Sequence, residues 1–293
     1  MQKELLLAIG DEHATPYTLR FLKEIFDNFC DLKLTLFYVA PRKASWAIDE
    51  KDLIPSQKGY DEMKVHTKEH GVKAVDQAAD WIRDIAGCSG ANVETKVIHS
   101  RKGTVRELVD EAHRGMYDAL VLGKRAMTWF EGVFENSVCH EILWQDIDFP
   151  LWICRQPPAR LRRDILLCLD GSEASLRMAD HAGYMLAEES SHTFTLFHVA
   201  KSYQDKDATA IFDKGLAALT DNGISEERIQ IKLVTNSNPV KATLMEAEEG
   251  NYSAVGVGRH NKSAQGPMAS MFPSSVTIRL LRQLKSSALW ISK

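Results

Sequence analysis

Cysteine is sparse in this chain: Cys30, Cys88, Cys139, Cys154 and Cys168 are the only five among 293 residues, and none forms a Cys-x-x-Cys pair. An odd, scattered set excludes a disulfide scaffold or a thiolate metal centre and predicts reduced thiols. An excess of one charge is lacking too. Lys and Arg number 36 against 40 Asp and Glu, a formal net charge of −4, so no global positive field is available for nucleic acid or an anionic membrane. The longest apolar run near the start, Leu5 to Ile9, falls far short of the roughly 18 residues that cross a bilayer, and no small-residue cleavage site follows it. These absences predict a cytoplasmic chain. What remains, 44% hydrophobic and 26% charged residues, is an ordinary globular composition, and the length suits two domains.

Recognisable catalytic motifs are missing as well. Gly123-Lys124 lacks the partner glycine and hydroxyl of a phosphate-binding Walker loop, and Gly256-Val-Gly258 lacks the third glycine of a dinucleotide fingerprint. No Gly-x-Ser-x-Gly elbow seats a hydrolase nucleophile. His66-Thr-Lys-Glu69-His70 has the spacing of an inverted zinc motif, but Gly71 follows at once and a third ligand is not apparent, so it reads as a solvated helix end.

The informative feature is a duplication. Leu5-Leu-Leu-Ala-Ile9 matches Ile165-Leu-Leu-Cys-Leu169, and Leu34-Thr-Leu-Phe-Tyr-Val-Ala40 matches Phe194-Thr-Leu-Phe-His-Val-Ala200, both at an offset of 160. Val93–Ile98 matches Ile229–Val234 at 136, Ala119–Gly123 matches Ala254–Gly258 at 135, and Leu151-Trp-Ile153 matches Leu289-Trp-Ile291 at 138. The fall from 160 to 136 places an insertion in the first copy between its second and third strands. Domains of 1–154 and 164–293 follow, joined by a linker of 155–163 whose two prolines and four arginines suit a solvated spacer.

The matched segments are short, apolar and rich in β-branched residues, as in parallel strands covered on both faces. Helical patterns separate them. Thr15-Pro16 opens one that carries Leu19, Leu22, Phe26 and Phe29; the stretch 61–86 carries Val72, Val75, Ala79, Ile82 and Ala86; Thr104-Val-Arg-Glu107 reads as a capping box; and Asn238-Pro239 as a cap followed by proline. Each copy therefore reads βαβαβαβαβ, an α/β domain with a doubly wound five-stranded parallel sheet. The closing Leu-Trp-Ile strands offer apolar edges that could pair and join two separate sheets into a pseudo-dimer.

Four features, each present in order, carry a resemblance: a first strand ending in Asp170-Gly171-Ser172, a second strand Thr-Leu-Phe-(Tyr/His)-Val, a fourth strand Asp118-Ala-Leu-Val-Leu-Gly123, and the closing Leu-Trp-Ile strand. Over nearly its whole length the chain resembles tandem members of the universal stress protein family, with an adenine nucleotide alpha hydrolase-like fold. The resemblance implies a non-enzymatic stress-response protein of the cytoplasm and an adenine nucleotide, ATP or AMP, between the first and fourth strands. It implies as partners that nucleotide, other proteins and a second copy of the chain, with neither nucleic acid nor membrane. The family's phosphate signature, Gly-x2-Gly-x9-Gly-(Ser/Thr), is degenerate here. The first copy has Gly123-x2-Ala126-x9-Asn136-Ser137, with Trp129 and Phe130 inside the loop, and Gly10 stands where Asp170 stands in the second copy, leaving Asp11 one residue late. The second has Gly258-x2-Asn261 and, after Pro267 and Pro273, Ser274-Ser275. The implied ligand residues are Asp170, Val199, Gly258, Arg259, Asn261, Ser274 and Ser275, with Asp11, Val39, Gly123, Asn136 and Ser137 at the matching places in the first copy. Two other functions fit the same letters: a nucleotide-independent interaction scaffold and a weak ATP hydrolase.

Overall fold

A computed structural model describes residues 2–10, 17–40, 57–123, 138–145, 147–155, 163–201, 207–259 and 275–293, with no side-chain detail for 57–67 or Ser275. The first half runs β1 (Glu4–Ala8), α1 (Tyr17–Ile25), β2 (Lys33–Ala40), α2 (Gln57–Asp80), β3 (Asn92–His99), α3 (Thr104–Gly115), β4 (Ala119–Gly123), α4 (Val138–Glu141) and β5 (Leu151–Cys154). The second repeats it as β6 (Ile165–Cys168), α5 (Glu173–Leu186), β7 (Phe194–Ala200), α6 (Ala208–Thr220), β8 (Ile229–Thr235), α7 (Pro239–Gly250), β9 (Ala254–Gly258), α8 (Ser275–Gln283) and β10 (Ala288–Ser292). No helix among the described residues is long and apolar enough to cross a membrane.

The strands do not form two sheets. They form one, in the order β3-β2-β1-β4-β5-β10-β9-β6-β7-β8. The order is palindromic: each half is a parallel five-stranded sheet, and the two fuse at the single antiparallel pair β5–β10, where Trp152 stands opposite Trp290. The expected pairing of the closing strands is thus what makes the sheet continuous, because it satisfies both edges at once.

One face of the sheet is covered by α1, α2, α5 and α6 and the other by α3, α4, α7 and α8, so strands such as β1, β4 and β5 are buried on both sides. On the first face, at the fusion, the Trp152 and Trp290 rings stack at 4.0 Å. Phe21 of α1 meets both edge-on, at 6.5 and 6.4 Å, and His181 of α5, its counterpart at offset 160, does the same at 5.7 and 6.5 Å. The chemistry differs between the two. Trp152 Nε1 donates to His181 Nε2 at 3.0 Å, whereas Trp290 Nε1 has no partner among the described residues, and Phe21, the counterpart of His181 at offset 160, has no acceptor to offer it. Burial drives the His181 imidazole down to about 3, so it is neutral.

The halves also exchange reciprocal cations. Lys3 Nζ donates to Tyr184 O at 2.6 Å and lies 3.6 Å above that ring, while Arg163, at the equivalent place in the second half, binds Asp27 and Ser191. On the opposite face Arg155 Nη2 donates to Leu281 O, in the last turn of α8, at 2.5 Å and Arg259 Nη2 to Gln145 O, just after the helical segment that ends the first half, at 3.1 Å. Burial lowers Arg155 to about 10, still cationic at neutral pH. The expectation of solvated linker arginines is therefore corrected at Arg155, which is buried because a carbonyl of α8 lies within reach, while Arg163 stays partly exposed in its ion pair with Asp27.

Three local expectations change. α1 ends at Ile25, and Phe29 is buried from a 3-10 turn rather than from the helix. Residues 57–80 do form a helix, closed by a π-helical turn over Trp81–Ile85, but Val72 is exposed while Val75, Ala78 and Ile82 face the core. The capping box of α3 is absent: Gly103, at φ 98°, is the N-cap, and Glu107 Oε1 accepts from the backbone N–H groups of Arg101 and Lys102 instead. The cysteine expectation is overturned as well. Cys30 and Cys88 form a disulfide with Cα atoms 5.2 Å apart, brought together because the turn after α1 and the turn after α2 meet at one end of the first half. Cys139, Cys154 and Cys168 are not disulfide-bonded.

Candidate functional site

In each half the chain lays down its first three strands outward in one direction and then returns to place the fourth on the other side of the first. The crevice at the carboxyl ends of those neighbours, β6 and β9 in the second half, is the topological switch point where open α/β sheets bind ligands. Asp170 leaves the end of β6 and Gly258 terminates β9, so both candidates stand at that point.

The local sequence accounts for the Asp170 geometry. Gly171 takes φ 80°, a turn a side chain resists, and Ser172 follows as N-cap of α5, its Oγ accepting from Ser175 N at 3.2 Å. Ser172 donates to Asp170 Oδ1 through both N (3.2 Å) and Oγ (2.5 Å), and Ser175 Oγ donates to Ser172 O at 2.9 Å. The carboxylate is exposed yet oriented, an Asx turn at a helix start. Behind it, His198 Nδ1 donates to Leu169 O at 2.7 Å and holds the strand end, a contact hidden in the second-strand pattern where the first copy has Tyr38.

Gly258 is required by packing. A Cβ there would sit 2.3 Å from Ser175 N and 2.6 Å from Ala174 C, inside the first turn of α5. Val199 is half-buried at the end of β7 and packs on the opposite face of the sheet from His198. The Arg259 side chain is buried, its N donates to Ser292 O at 2.6 Å and its guanidinium donates to Gln145 O of the first half at 3.1 Å. Asn261 and Ser274 lie outside the described residues, and Ser275 opens α8. In the first half Val39 is buried at the end of β2, and Gly123 is exposed at the end of β4 with Thr18 beside it. Asp11, Asn136 and Ser137 lie outside the described residues, as do Trp129 and Phe130. Gly10 itself is open, with nothing within 4 Å of where a Cβ would stand.

The thiols near the crevice are held in their protonated form. Burial pushes Cys168 up to about 12 and Cys154 well above its ordinary value. Among the described residues no group of three His, Cys, Asp or Glu is placed to hold a metal; the His66 side chain falls outside them.

At the other end of the strands lies a pair of networks that sequence inspection missed. Tyr252 OH donates to the buried Glu246 at 2.9 Å, and Lys232 reaches the same carboxylate at 2.5 Å. Tyr117, Glu111 and Lys96 repeat the set in the first half, at 3.5 and 2.7 Å. The signal was legible: Glu-x3-Gly-x-Tyr recurs at offset 135 as Glu111, Gly115, Tyr117 and Glu246, Gly250, Tyr252. Each glycine lets the tyrosine ring fold within 2.1 Å of where a Cβ would be.

Residues 162–291 match the model of the Universal stress protein family. A universal stress protein from Archaeoglobus fulgidus DSM 4304 superposes on 99% of this chain and 96% of its own with a TM-score of 0.68 at 17% identity. A protein of unknown function from Pseudomonas aeruginosa PAO1 covers 100% of this chain and 92% of its own at 0.62 and 13%. A universal stress protein solved in complex with cAMP aligns with 44% of this chain and 95% of its own at 0.37 and 22%. No curated protein matches the chain.

Proposed function

From the match of residues 162–291 to the model of the universal stress protein family, we propose that the chain is a non-enzymatic stress-response protein whose second half binds an adenine nucleotide, ATP or AMP. Its units are 1–154 and 164–293, joined by 155–163. The observation that supports this most is the placement of an oriented, exposed carboxylate, Asp170, beside Gly258 at the β6–β9 switch point. An acceptor at that position suits ribose hydroxyls or an adenine amino group, and the nearby start of α5 adds a favourable dipole for anions.

The described residues fit the nucleoside end of such a ligand. Its phosphates would fall to Asn261, Ser274 and Ser275, with Arg259 contributing by holding the strand end against the first half rather than by touching the ligand. In the first half the described residues that flank the switch point are Gly10 and Gly123, which offer no side chain to a ribose, and this favours the second half. The absence of a recognisable nucleophile elbow and the inert thiols support binding without turnover.

Thermal melting with millimolar ATP, ADP and AMP tests the proposal. Ligand at about 100 times its dissociation constant stabilises by about 2.7 kcal/mol, and Asp170→Asn should abolish the shift. No shift with any of the three nucleotides sinks the binding reading; ATP turnover that vanishes in Asp170→Asn sinks the non-enzymatic one.

A further inference from the structure

The Cys30–Cys88 bridge is not needed to close the turn it occupies. At the matching offsets the second half carries Ser190 and Ile224, and there the turn after α6 is closed by burying Ile224 and by its N–H bond to Leu219 O at 3.2 Å. Cys88 occupies the same kind of buried seat, its N–H bonded to Ile82 O at 3.1 Å. The fold therefore tolerates this turn without a covalent link, and the bridge is an addition peculiar to the first half.

The two cysteines are unequal. Cys30 is exposed on the 3-10 turn after α1, whereas Cys88 is 4% exposed. An incoming thiolate has access to Cys30 and leaves Cys88 as the departing sulfur. The turn that Cys30 anchors also holds the second half. Asp27 N donates to Glu189 Oε2 at 2.8 Å, the Asp27 carboxylate takes Arg163 and Ser191, and Ile25 O lies 2.6 Å from His192 Nε2.

We infer that Cys30–Cys88 is a reversible thiol–disulfide site, opened by a dithiol that attacks Cys30, and that its state sets how firmly residues 25–31 grip residues 189–193. In the opening step the thiolate bonds to Cys30 Sγ, the Cys30–Cys88 bond breaks, and Cys88 leaves as a thiolate that takes a proton from water. The reagent's second thiol then displaces Cys30, which is protonated in turn. Two electrons and two protons pass to the protein and the dithiol becomes a disulfide; a low-molecular-weight disulfide reverses the exchange. The inference stands on the first half and is independent of nucleotide binding.

The test uses the full chain without denaturant. Dithiothreitol should open the bridge while circular dichroism stays native. Brief iodoacetamide labelling followed by peptide mass spectrometry should then find Cys30 modified at least about tenfold faster than Cys88, because access governs the rate. Deuterium exchange should rise at 25–31, at the turn after α2 and at 189–193, while β1 and β6 stay protected. Cys30→Ser should show the raised exchange with or without dithiothreitol. Three results each overturn the inference: a bridge that resists dithiothreitol until the chain is unfolded, faster labelling of Cys88 than of Cys30, or exchange at 189–193 that reduction leaves unaltered.

Discussion

Replacing His181 by Phe isolates the asymmetry at the centre of the molecule. The variant keeps a flat ring beside the stacked Trp152–Trp290 pair but removes the acceptor for Trp152 Nε1. A buried indole N–H left without a partner costs about 1–3 kcal/mol, so at pH 8 His181→Phe should be less stable by roughly 2 kcal/mol in urea unfolding followed by circular dichroism. The deficit depends on pH. The folded-state value of His181 is pushed down to about 3, and an unfolded histidine titrates near ~6.5. Between those values the unfolded chain binds the extra proton, so wild-type stability is complete above about pH 6.5 and falls as pH drops, by about 1.4 kcal/mol per unit. At pH 5 the wild type has lost about 2 kcal/mol through His181 that the variant never loses, and the gap should close. His192, also lowered by burial, is present in both proteins and cancels from the difference. A gap that stays constant from pH 8 to pH 5, or no gap at pH 8, refutes the reasoning. Phe21→His, which puts an imidazole at the position matching His181 by the 160-residue offset, should give Trp290 Nε1 an acceptor and raise the urea midpoint at pH 8.

Trp290→Ala empties the fusion point of the two halves and should cost about 3–5 kcal/mol; a melting temperature within a degree of wild type would show that the ring pair contributes little. Gly258→Ala drives a Cβ into the backbone of α5's first turn and should cost about 1–3 kcal/mol, the usual range for overpacking, read by urea unfolding without ligand. Glu246→Ala removes one acceptor of the Tyr252 hydroxyl, which keeps Thr195 Oγ1 at 3.2 Å, and releases the half-exposed Lys232 ammonium to water, so it should destabilise by about 1 kcal/mol, with the nucleotide-induced melting shift unaltered because the network lies at the far end of the strands.

Much of this architecture was legible because duplication makes errors visible. Offsets of 160, 136, 135 and 138 located all five strand pairs, and apolar runs covered on both faces marked a parallel sheet. A cap written in local chemistry was legible too: Asn238 caps α7 through its own side chain. The α3 cap misled because Gly103, not Thr104, has the φ that turns the chain into the helix. Asp170 and Gly258 could be nominated since strand ends follow from strand positions, whereas the bond from the Arg259 guanidinium to Gln145 O could not, because that carbonyl belongs to the other half.

Sequence alone determined the module, its two copies, the strands that close each one and the residues that end them, since these follow from short-range periodicity and turn chemistry. Tertiary structure decided everything that depends on which surfaces meet. The stacking of Trp152 on Trp290, the exchange of Arg155 and Arg259, and the bridge from Cys30 to Cys88 across 58 residues all join segments far apart in the chain. The physical reason is common to them: a side chain's partner is set by the distance left after the sheet has fused and the helices have packed, and no local pattern of residues encodes that distance.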